Sequence, residues 1–252
     1  MMLKEKLISQ DFIVAAHRGY RSEFPENSLL SFEKAIIHGV DMIEVDLRYS
    51  KDSQIVLIHD DTVNRVTNSE GCVSDLTLST LKSLNLKDPA GAPSNEVIPT
   101  LEEFIEFVSE YPDLFLNIEI KPQERGLELA KELLKILEPT NLIERSVITS
   151  FDFEIIHFLY SQGVFTQGFM CSHLINVGDN INVYEAMDAI CIFETELNRK
   201  IVQKFENENL FVWTCCPNSK DSVKYAYDCG IRLVTVDDII PALEFKQSLN
   251  NK

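Results

Sequence analysis

The chain has 252 residues, of which 45% are hydrophobic, and this length and composition suit a single domain with a large core. Its formal net charge of −17 at pH 7 argues against a nucleic-acid partner and against adsorption to anionic membranes, because both surfaces bind clustered lysines and arginines. Since no apolar run is long enough for a signal-peptide core or a transmembrane segment, we expect one cytoplasmic domain over residues 1–252.

Apolar runs typical of strands alternate with helical patterns along the chain. The predicted strands begin near residues 12, 41, 115, 145, 164, 188, 210 and 232. The predicted helices cover 27–38, 100–110, 125–138, 152–161, 196–208, 219–228 and 238–248. This alternation predicts an α/β fold, a (β/α)8 barrel of the TIM type. Residues 1–11 are expected to form a short helix or cap over the barrel floor, while the pattern in 170–187 is ambiguous.

A hairpin is expected directly after the second predicted strand. The polar stretch 50–53 is too short for a parallel crossover, so the apolar run 55–59 should pair antiparallel with the strand before it. A turn centred on the middle of that polar stretch would place His59 opposite Asp46.

Residues 61–97 are expected to be an insertion over the barrel mouth. The segment is rich in turn-forming residues and ends with the run 88–93, which contains two prolines and a glycine. An insertion at this rim would serve as a substrate lid, or it is a tolerated surface loop.

Charged and titratable side chains stand at or near the ends of several predicted strands. They are His17, Arg18, Glu44, Asp46, His59, Glu119 and Lys121. Because strand side chains alternate between faces, Glu44 and Asp46 point the same way. Since the carboxyl ends of parallel strands meet at one rim of a barrel, we expect all seven groups to lie close together there.

Three of these groups are carboxylates that would repel one another without a cation. Glu44, Asp46 and Glu119 supply the oxygen ligands that magnesium and calcium prefer, with room for water or substrate oxygens. No cysteine is among them, so zinc is less suited to this centre. The expected cofactor is one divalent ion, magnesium or calcium.

The basic groups suggest acid–base chemistry on a phosphodiester. His17 and His59 would flank the phosphorus, one taking a proton from the nucleophile and the other protonating the leaving alkoxide, in an order that the sequence leaves open. Arg18 and Lys121 would bind the non-bridging oxygens, or they neutralise the three carboxylates.

Eight short motifs add a family resemblance. They are His17-Arg18-Gly19, Pro25-Glu26-Asn27-Ser28, Glu44-Val45-Asp46, His59-Asp60, Ile98 to Glu103, Ile118 to Lys121, Ser150-Phe151-Asp152 and Val212-Trp213-Thr214. In this order they resemble the glycerophosphodiester phosphodiesterases, over nearly the whole chain. The resemblance implies metal-dependent hydrolysis of a small glycerophosphodiester to an alcohol and glycerol 3-phosphate, by water or through a cyclic phosphate. It also favours a lid at 61–97 and places Trp213 on the glycerol or alcohol, although a core position is a rival interpretation.

The sequence departs from the family pattern late in the chain. Members commonly carry an asparagine shortly after Trp-Thr, where this chain has Cys215-Cys216-Pro217, and their last strand ends differently from residues 233–238. The metal and histidine groups are retained, so the reaction class is expected to hold while the alcohol side differs. All six cysteines are expected to be reduced thiols.

Two other functions remain open at this point. A lysophospholipase D or sphingomyelinase D relative on the same barrel would want an exposed apolar rim, and the insertion contains five leucines between 76 and 86. A non-catalytic binding barrel is disfavoured because all three carboxylates and both histidines are present.

Overall fold

The computed structural model describes residues 2–9 and 11–250, in which eleven strands and nine α-helices are found. The strands are β1 Ile13–Ala16, β2 Met42–Tyr49, β3 Ile55–Leu57, β4 Asn85–Lys87, β5 Pro93–Val97, β6 Phe115–Ile120, β7 Ser146–Thr149, β8 Thr166–Phe169, β9 Ala189–Phe193, β10 Phe211–Cys215 and β11 Leu233–Val236. The helices are α1 Leu3–Ile8, α2 Leu29–His38, α3 Leu78–Leu81, α4 Leu101–Ser109, α5 Gly126–Leu137, α6 Phe153–Ser161, α7 Arg199–Asn207, α8 Lys220–Asp228 and α9 Ile239–Asn250.

Eight parallel strands close into a barrel in the order β1, β2, β6, β7, β8, β9, β10 and β11, and β11 pairs back to β1. The predicted TIM-type barrel and its eight strands are therefore confirmed. The ambiguous segment after β8 forms the short 3-10 turns Cys171–His173 and Val183–Ala186. Within 2–9 and 11–250, no helix has the length and apolar character needed to cross a membrane.

The barrel interior is apolar at its floor. Inward-facing residues such as Ile13, Phe115 and Trp213 pack in one cluster, and Leu3 and Leu7 of α1 join them from below. The predicted N-terminal helix thus closes the barrel floor. A second, larger cluster fills the space between the strands and the surrounding helices.

The hairpin of β2 and β3 is present, but its predicted register was wrong. Leu47 pairs with Leu57, and the backbone N–H of Ile58, not of His59, donates to the Asp46 carbonyl at 3.0 Å. The loop holds an odd number of residues because Ser53 takes a left-handed conformation, φ 60°, which shifts the pairing by one residue.

Residues 61–97 hold α3, β4 and β5 and pack around a small core of their own. The buried side chains in this cluster include Val63, Leu81 and Leu86, together with Val56 and Ile98 at the two ends of the segment. The remaining leucines of the segment, Leu76, Leu78 and Leu84, pack against the same cluster.

Candidate active site

The predicted site residues meet in a cavity of about 430 Å³ at the carboxyl ends of the barrel strands. Six of the eight predicted site residues line it, namely His17, Arg18, Glu44, His59, Glu119 and Lys121. Asp46 lies beneath them and is fully buried. In the described residues, the lining includes no position from the insertion 61–97, so the lid remains a prediction.

Strand pairing brings the three carboxylates together. Asp46 on β2 is the direct partner of Glu119 on β6, and Glu44 lies two residues earlier on the same face of β2. One oxygen from each carboxylate lies within 4.8 Å of the other two. Burial, with the charges of Asp46 and Glu119, raises the pKa of Glu44 well above its usual range, and burial also raises that of Glu119. Against the effect of burial, the charges of Lys121 and Arg18 lower the pKa of Asp46 to about 2. Glu44 and Glu119 are therefore the two carboxylates that a further cation would help to keep ionised.

The unused oxygens of this cluster fit a divalent ion. Among the described side chains, Glu44 Oε1 and Asp46 Oδ1 are buried without a hydrogen-bond partner. A buried polar atom without a partner is costly, and a metal ion would satisfy both oxygens. The all-oxygen donor set suits a hard cation such as magnesium or calcium.

Two basic side chains partly neutralise the carboxylates. Arg18 Nε lies 3.2 Å from Asp46 Oδ2, and the Arg18 backbone N–H donates to Glu44 Oε2 at 2.8 Å. Lys121 Nζ lies 2.5 Å from Glu119 Oε1 and 3.6 Å from Asp46 Oδ1. Both charges still reach the cavity.

The turn after β1 requires its glycine. Arg18 has φ 56° and Gly19 has φ 80°, and a Cβ on Gly19 would lie 2.3 Å from Ser31 Oγ. This tight turn aims His17 and Arg18 at the carboxylates instead of letting the chain continue outward.

His17 is held by a residue that the sequence did not single out. Its Nδ1–H donates to Asp237 Oδ1 at 2.6 Å, while its Nε2 faces Glu44 Oε2 at 3.9 Å. Burial lowers the pKa of His17, but the hydrogen bonds to Asp237 and Cys216 outweigh it and raise that pKa to about 9. His17 is therefore protonated at neutral pH.

His59 lies in the same cavity, but its pKa is shifted downward instead of upward. Its Nδ1–H donates to Asp60 Oδ1 at 2.7 Å, and Asp60 is held in turn by Arg65 at 2.7 Å. Burial lowers the pKa of His59 to about 4, aided by the charges of Lys121 and Arg18. His59 is therefore neutral at neutral pH.

Comparison with known proteins identifies the family. The model of the glycerophosphoryl diester phosphodiesterase family matches residues 17–240, a range that includes every carboxylate and histidine of the cavity. The chain belongs to this family.

One curated relative, the glycerophosphodiester phosphodiesterase of Caldanaerobacter subterraneus subsp. tengcongensis, is 40% identical over 144 residues. That alignment covers 56% of this chain and only 58% of the relative. Two solved structures share the fold. A Silicibacter pomeroyi protein has a TM-score of 0.84 at 18% identity, covering 95% of this chain and 94% of that one. A phosphodiesterase from Oleispira antarctica, in complex with the product sn-glycerol-3-phosphate, has a TM-score of 0.80 at 23% identity, covering 96% and 99%.

Asn27 of the phosphodiesterase motif supports a carboxylate instead of capping a helix. Ser28 is the N-cap of α2, since its Oγ accepts from the Ser31 N–H at 3.1 Å. Asn27 Nδ2 donates to Asp46 Oδ2 at 2.8 Å, and the Asp46 N–H donates back to Asn27 Oδ1 at 3.3 Å. The helix cap therefore belongs to Ser28, and Asn27 belongs to the carboxylate cluster. Only its place in the motif hinted at the site.

Trp213 does not stand at the rim, so its predicted contact with substrate is wrong. Its side chain is 1% exposed and belongs to the floor cluster of the barrel. The indole Nε1–H donates to Gln167 Oε1 at 2.7 Å, and Asn117 Nδ2 donates to the same oxygen at 3.4 Å. Trp213 therefore forms the boundary between the apolar floor and the polar mouth of this phosphodiesterase fold.

The wall of the cavity formed by β7 to β9 is aromatic. Phe151 and Phe169 stack with ring centroids 3.7 Å apart, and Phe193 lies nearly parallel to them at 6.3 and 5.8 Å. Cys191 and Cys215 complete this side, and all cysteines of the chain are free thiols. This wall of the cavity is thus largely apolar.

Proposed function

We propose that this chain hydrolyses a glycerophosphodiester to an alcohol and glycerol 3-phosphate, with magnesium or calcium as cofactor. The observation that carries the proposal is the convergence of a buried carboxylate triad with one protonated and one neutral histidine in one cavity. Family membership supports the reaction class, and the product bound to the Oleispira antarctica neighbour supports glycerol 3-phosphate as the product here.

The cation would be held by the carboxylates of Glu44, Asp46 and Glu119. Its ligands would include Glu44 Oε1 and Asp46 Oδ1, the two oxygens of this cluster without a hydrogen-bond partner within the described residues. When bound, the ion supplies positive charge to the phosphate oxygens as the phosphorus is attacked. Arg18 and Lys121 add fixed positive charge on either side of the triad. This arrangement stabilises a transition state that is more negative at oxygen than the substrate.

The two histidines divide the proton transfers between them. Neutral His59 accepts the proton of the attacking hydroxyl as its oxygen bonds to phosphorus. Protonated His17 donates its Nε2 proton to the leaving oxygen as the old P–O bond breaks. The attacking hydroxyl belongs to water or to the substrate's own glycerol, and His59 takes the proton in both routes.

A second candidate is a lipid diester with an acyl chain on its glycerol or alcohol side. The aromatic wall favours it, because an exposed apolar residue adjoins Phe151. Ile175 is 47% exposed, and its backbone N–H donates to the Phe151 carbonyl at 2.9 Å. The leucines of the insertion do not add to this surface, since they pack on their own core.

The test is a release assay for free alcohol with glycerophosphocholine, glycerophosphoethanolamine, glycerophosphoglycerol and lysophosphatidylcholine. We expect turnover of at least one of the first three, loss of activity in excess chelator, and recovery with magnesium or calcium. Full turnover in chelator would contradict the metal centre. Turnover of lysophosphatidylcholine alone would favour the second candidate.

A further inference from the structure

A second set of metal-ligating side chains lies on the far side of His17 from the carboxylate triad. His17 Nδ1, the Cys216 sulfur and one carboxylate oxygen of Asp237 lie within 4.8 Å of one another. All three residues are partly exposed, and His17 and Cys216 line the cavity, so an ion can reach them from solvent. In the reaction proposed above the Cys216 thiol is neither an acid nor a base nor a nucleophile, and it contributes only its contact with His17.

The spacing of the sulfur and the nitrogen matches tetrahedral zinc. A zinc ion bound at about 2.3 Å by a thiolate and about 2.0 Å by an imidazole holds the two ligand atoms about 3.6 Å apart. Cys216 Sγ lies 3.6 Å from His17 Nδ1. Asp237 Oδ1, now 2.6 Å from Nδ1, would move out to about 3.3 Å to act as the third ligand.

The groups around Asp237 allow that movement. Its side chain is 30% exposed, and it is held by Arg21 Nη1 at 3.1 Å and by Asn218 Nδ2 at 3.3 Å. Arg21 also lies 3.4 Å from His17 Nδ1, so its partly exposed guanidinium must turn away when a cation enters. This displacement lowers the affinity and makes binding reversible.

We propose that His17, Cys216 and Asp237 form an inhibitory site for a borderline-soft divalent cation such as zinc. Three protein ligands of N, S and O type with an open fourth position suit zinc, whereas the all-oxygen triad suits magnesium or calcium. The two centres therefore select different ions, although His17 lies between them, with Nδ1 in the second site and Nε2 facing Glu44.

Inhibition follows from the chemistry of the imidazole ring and rests on the proposed function of His17. Zinc binding releases the proton of the Cys216 thiol and the Nδ1 proton of His17. The ring is then neutral, with its remaining proton on Nε2, and Asp237 no longer supports a positive charge there. The imidazole is then fixed through Nδ1 and has lost its hydrogen bond to Asp237, so it no longer has the support that the proposed proton donor requires.

The experiment uses the whole chain, stripped by chelation and then given saturating magnesium to occupy the carboxylate triad. Zinc is titrated against diester turnover, and cadmium is titrated while the ultraviolet absorption of cadmium–thiolate bonds is recorded. The test variant is Cys216→Ser. The matched control is Cys215→Ser, which removes a neighbouring thiol of the same cavity that is not a member of the ligand group.

We expect wild type and Cys215→Ser to share one cadmium–thiolate signal and one zinc inhibition curve. In Cys216→Ser the cadmium–thiolate signal should fall to the background of the exposed cysteines. Half-inhibition should need more than about 100-fold more zinc, a larger change than the loss of a residue that only supports a ligand would cause. The unfolding midpoint of the variant in urea should match that of wild type, which shows that it is folded, and zinc inhibition is expressed relative to each variant's own turnover in magnesium alone.

Equal cadmium signals in Cys216→Ser and wild type would overturn the site. A lost signal with unchanged zinc inhibition would overturn the inhibitory role, because zinc would then act at the carboxylates. If no diester is turned over, the proposed function fails separately, and the cadmium signal with zinc calorimetry still decides whether the site exists.

Discussion

The two histidines of the cavity each donate to an aspartate, yet at neutral pH His17 is protonated and His59 is neutral. His17 faces Asp237 and Glu44, and the hydrogen bond to Asp237 overcomes the effect of burial on its pKa. His59 has Asp60, but burial and the nearby Lys121 prevail. The pKa separation, about 9 against about 4, is the reason for proposing His17 as the acid and His59 as the base, an order that the sequence left open.

Asp237→Asn should therefore change the pH profile more than the binding of substrate. Without the carboxylate, the pKa of His17 falls from about 9, so the alkaline limb of kcat/KM moves to lower pH. The acid limb near pH 4, set by His59, should stay in place. The measurement is kcat/KM from pH 4 to 10 at saturating metal. An alkaline limb that does not move would exclude Asp237 as the residue that positions and charges His17.

Asn27→Ala tests the support of the metal centre. The change removes the hydrogen bond to Asp46 Oδ2, so magnesium affinity should fall about 10- to 100-fold while kcat at saturating magnesium stays near wild type. Metal titrations of activity measure it. Ser28→Ala is the matched control, since losing that helix cap should cost about 1 kcal/mol of stability without weakening the metal.

At the scale of the elements, β10 delivers its tryptophan to the barrel floor. Trp213→Ala should lower the free energy of unfolding by about 3–5 kcal/mol, because it leaves a large cavity and removes the shorter of the two hydrogen bonds to Gln167 Oε1. Urea unfolding measures this, with Ile37→Ala, at a 65% exposed position, as a control expected within about 0.5 kcal/mol of wild type. A normal urea midpoint combined with a large loss of kcat/KM in the folded protein would contradict the core position and support a contact between Trp213 and the substrate.

The elements themselves could be predicted because apolar runs and caps are local signals. All eight barrel strands follow such runs, and the local capping box of Thr100 and Glu103 begins the helix α4. The register of the hairpin could not be predicted, since it depends on the left-handed conformation of Ser53. A single serine carries no strong signal for that conformation.

The site could be predicted where its residues share a strand or a motif. Glu44, Asp46 and Glu119 follow from alternation and parallel pairing. Asp237 could not be found in this way, because its partner His17 lies 220 residues away, and Arg65 could not, because it lies in the insertion and not on a barrel strand. The prediction that Trp213 lies at the rim failed for another reason. The alternation of side chains along a strand does not say at which height along the barrel axis a side chain lies.

At the scale of the whole molecule, the buried triad makes stability depend on metal. An ion that binds only the folded state adds about 2.7 kcal/mol at 100 times its Kd. The melting temperature should therefore rise with magnesium or calcium and not with sodium at equal ionic strength, as differential scanning calorimetry can show. Glu119→Gln should remove most of this rise, and an equal rise in that variant would place the ion elsewhere.

The seam between β1 and β11 ties the chemistry to the completion of the ring. The His17 N–H donates to the Val236 carbonyl at 2.9 Å, and the next residue, Asp237, charges the imidazole. A polypeptide shortened before β11 would still carry three carboxylates and two histidines, but it would have a proton donor with no counter-charge. The proposed proton transfer therefore requires the closed barrel, and turnover would report that β11 has paired with β1.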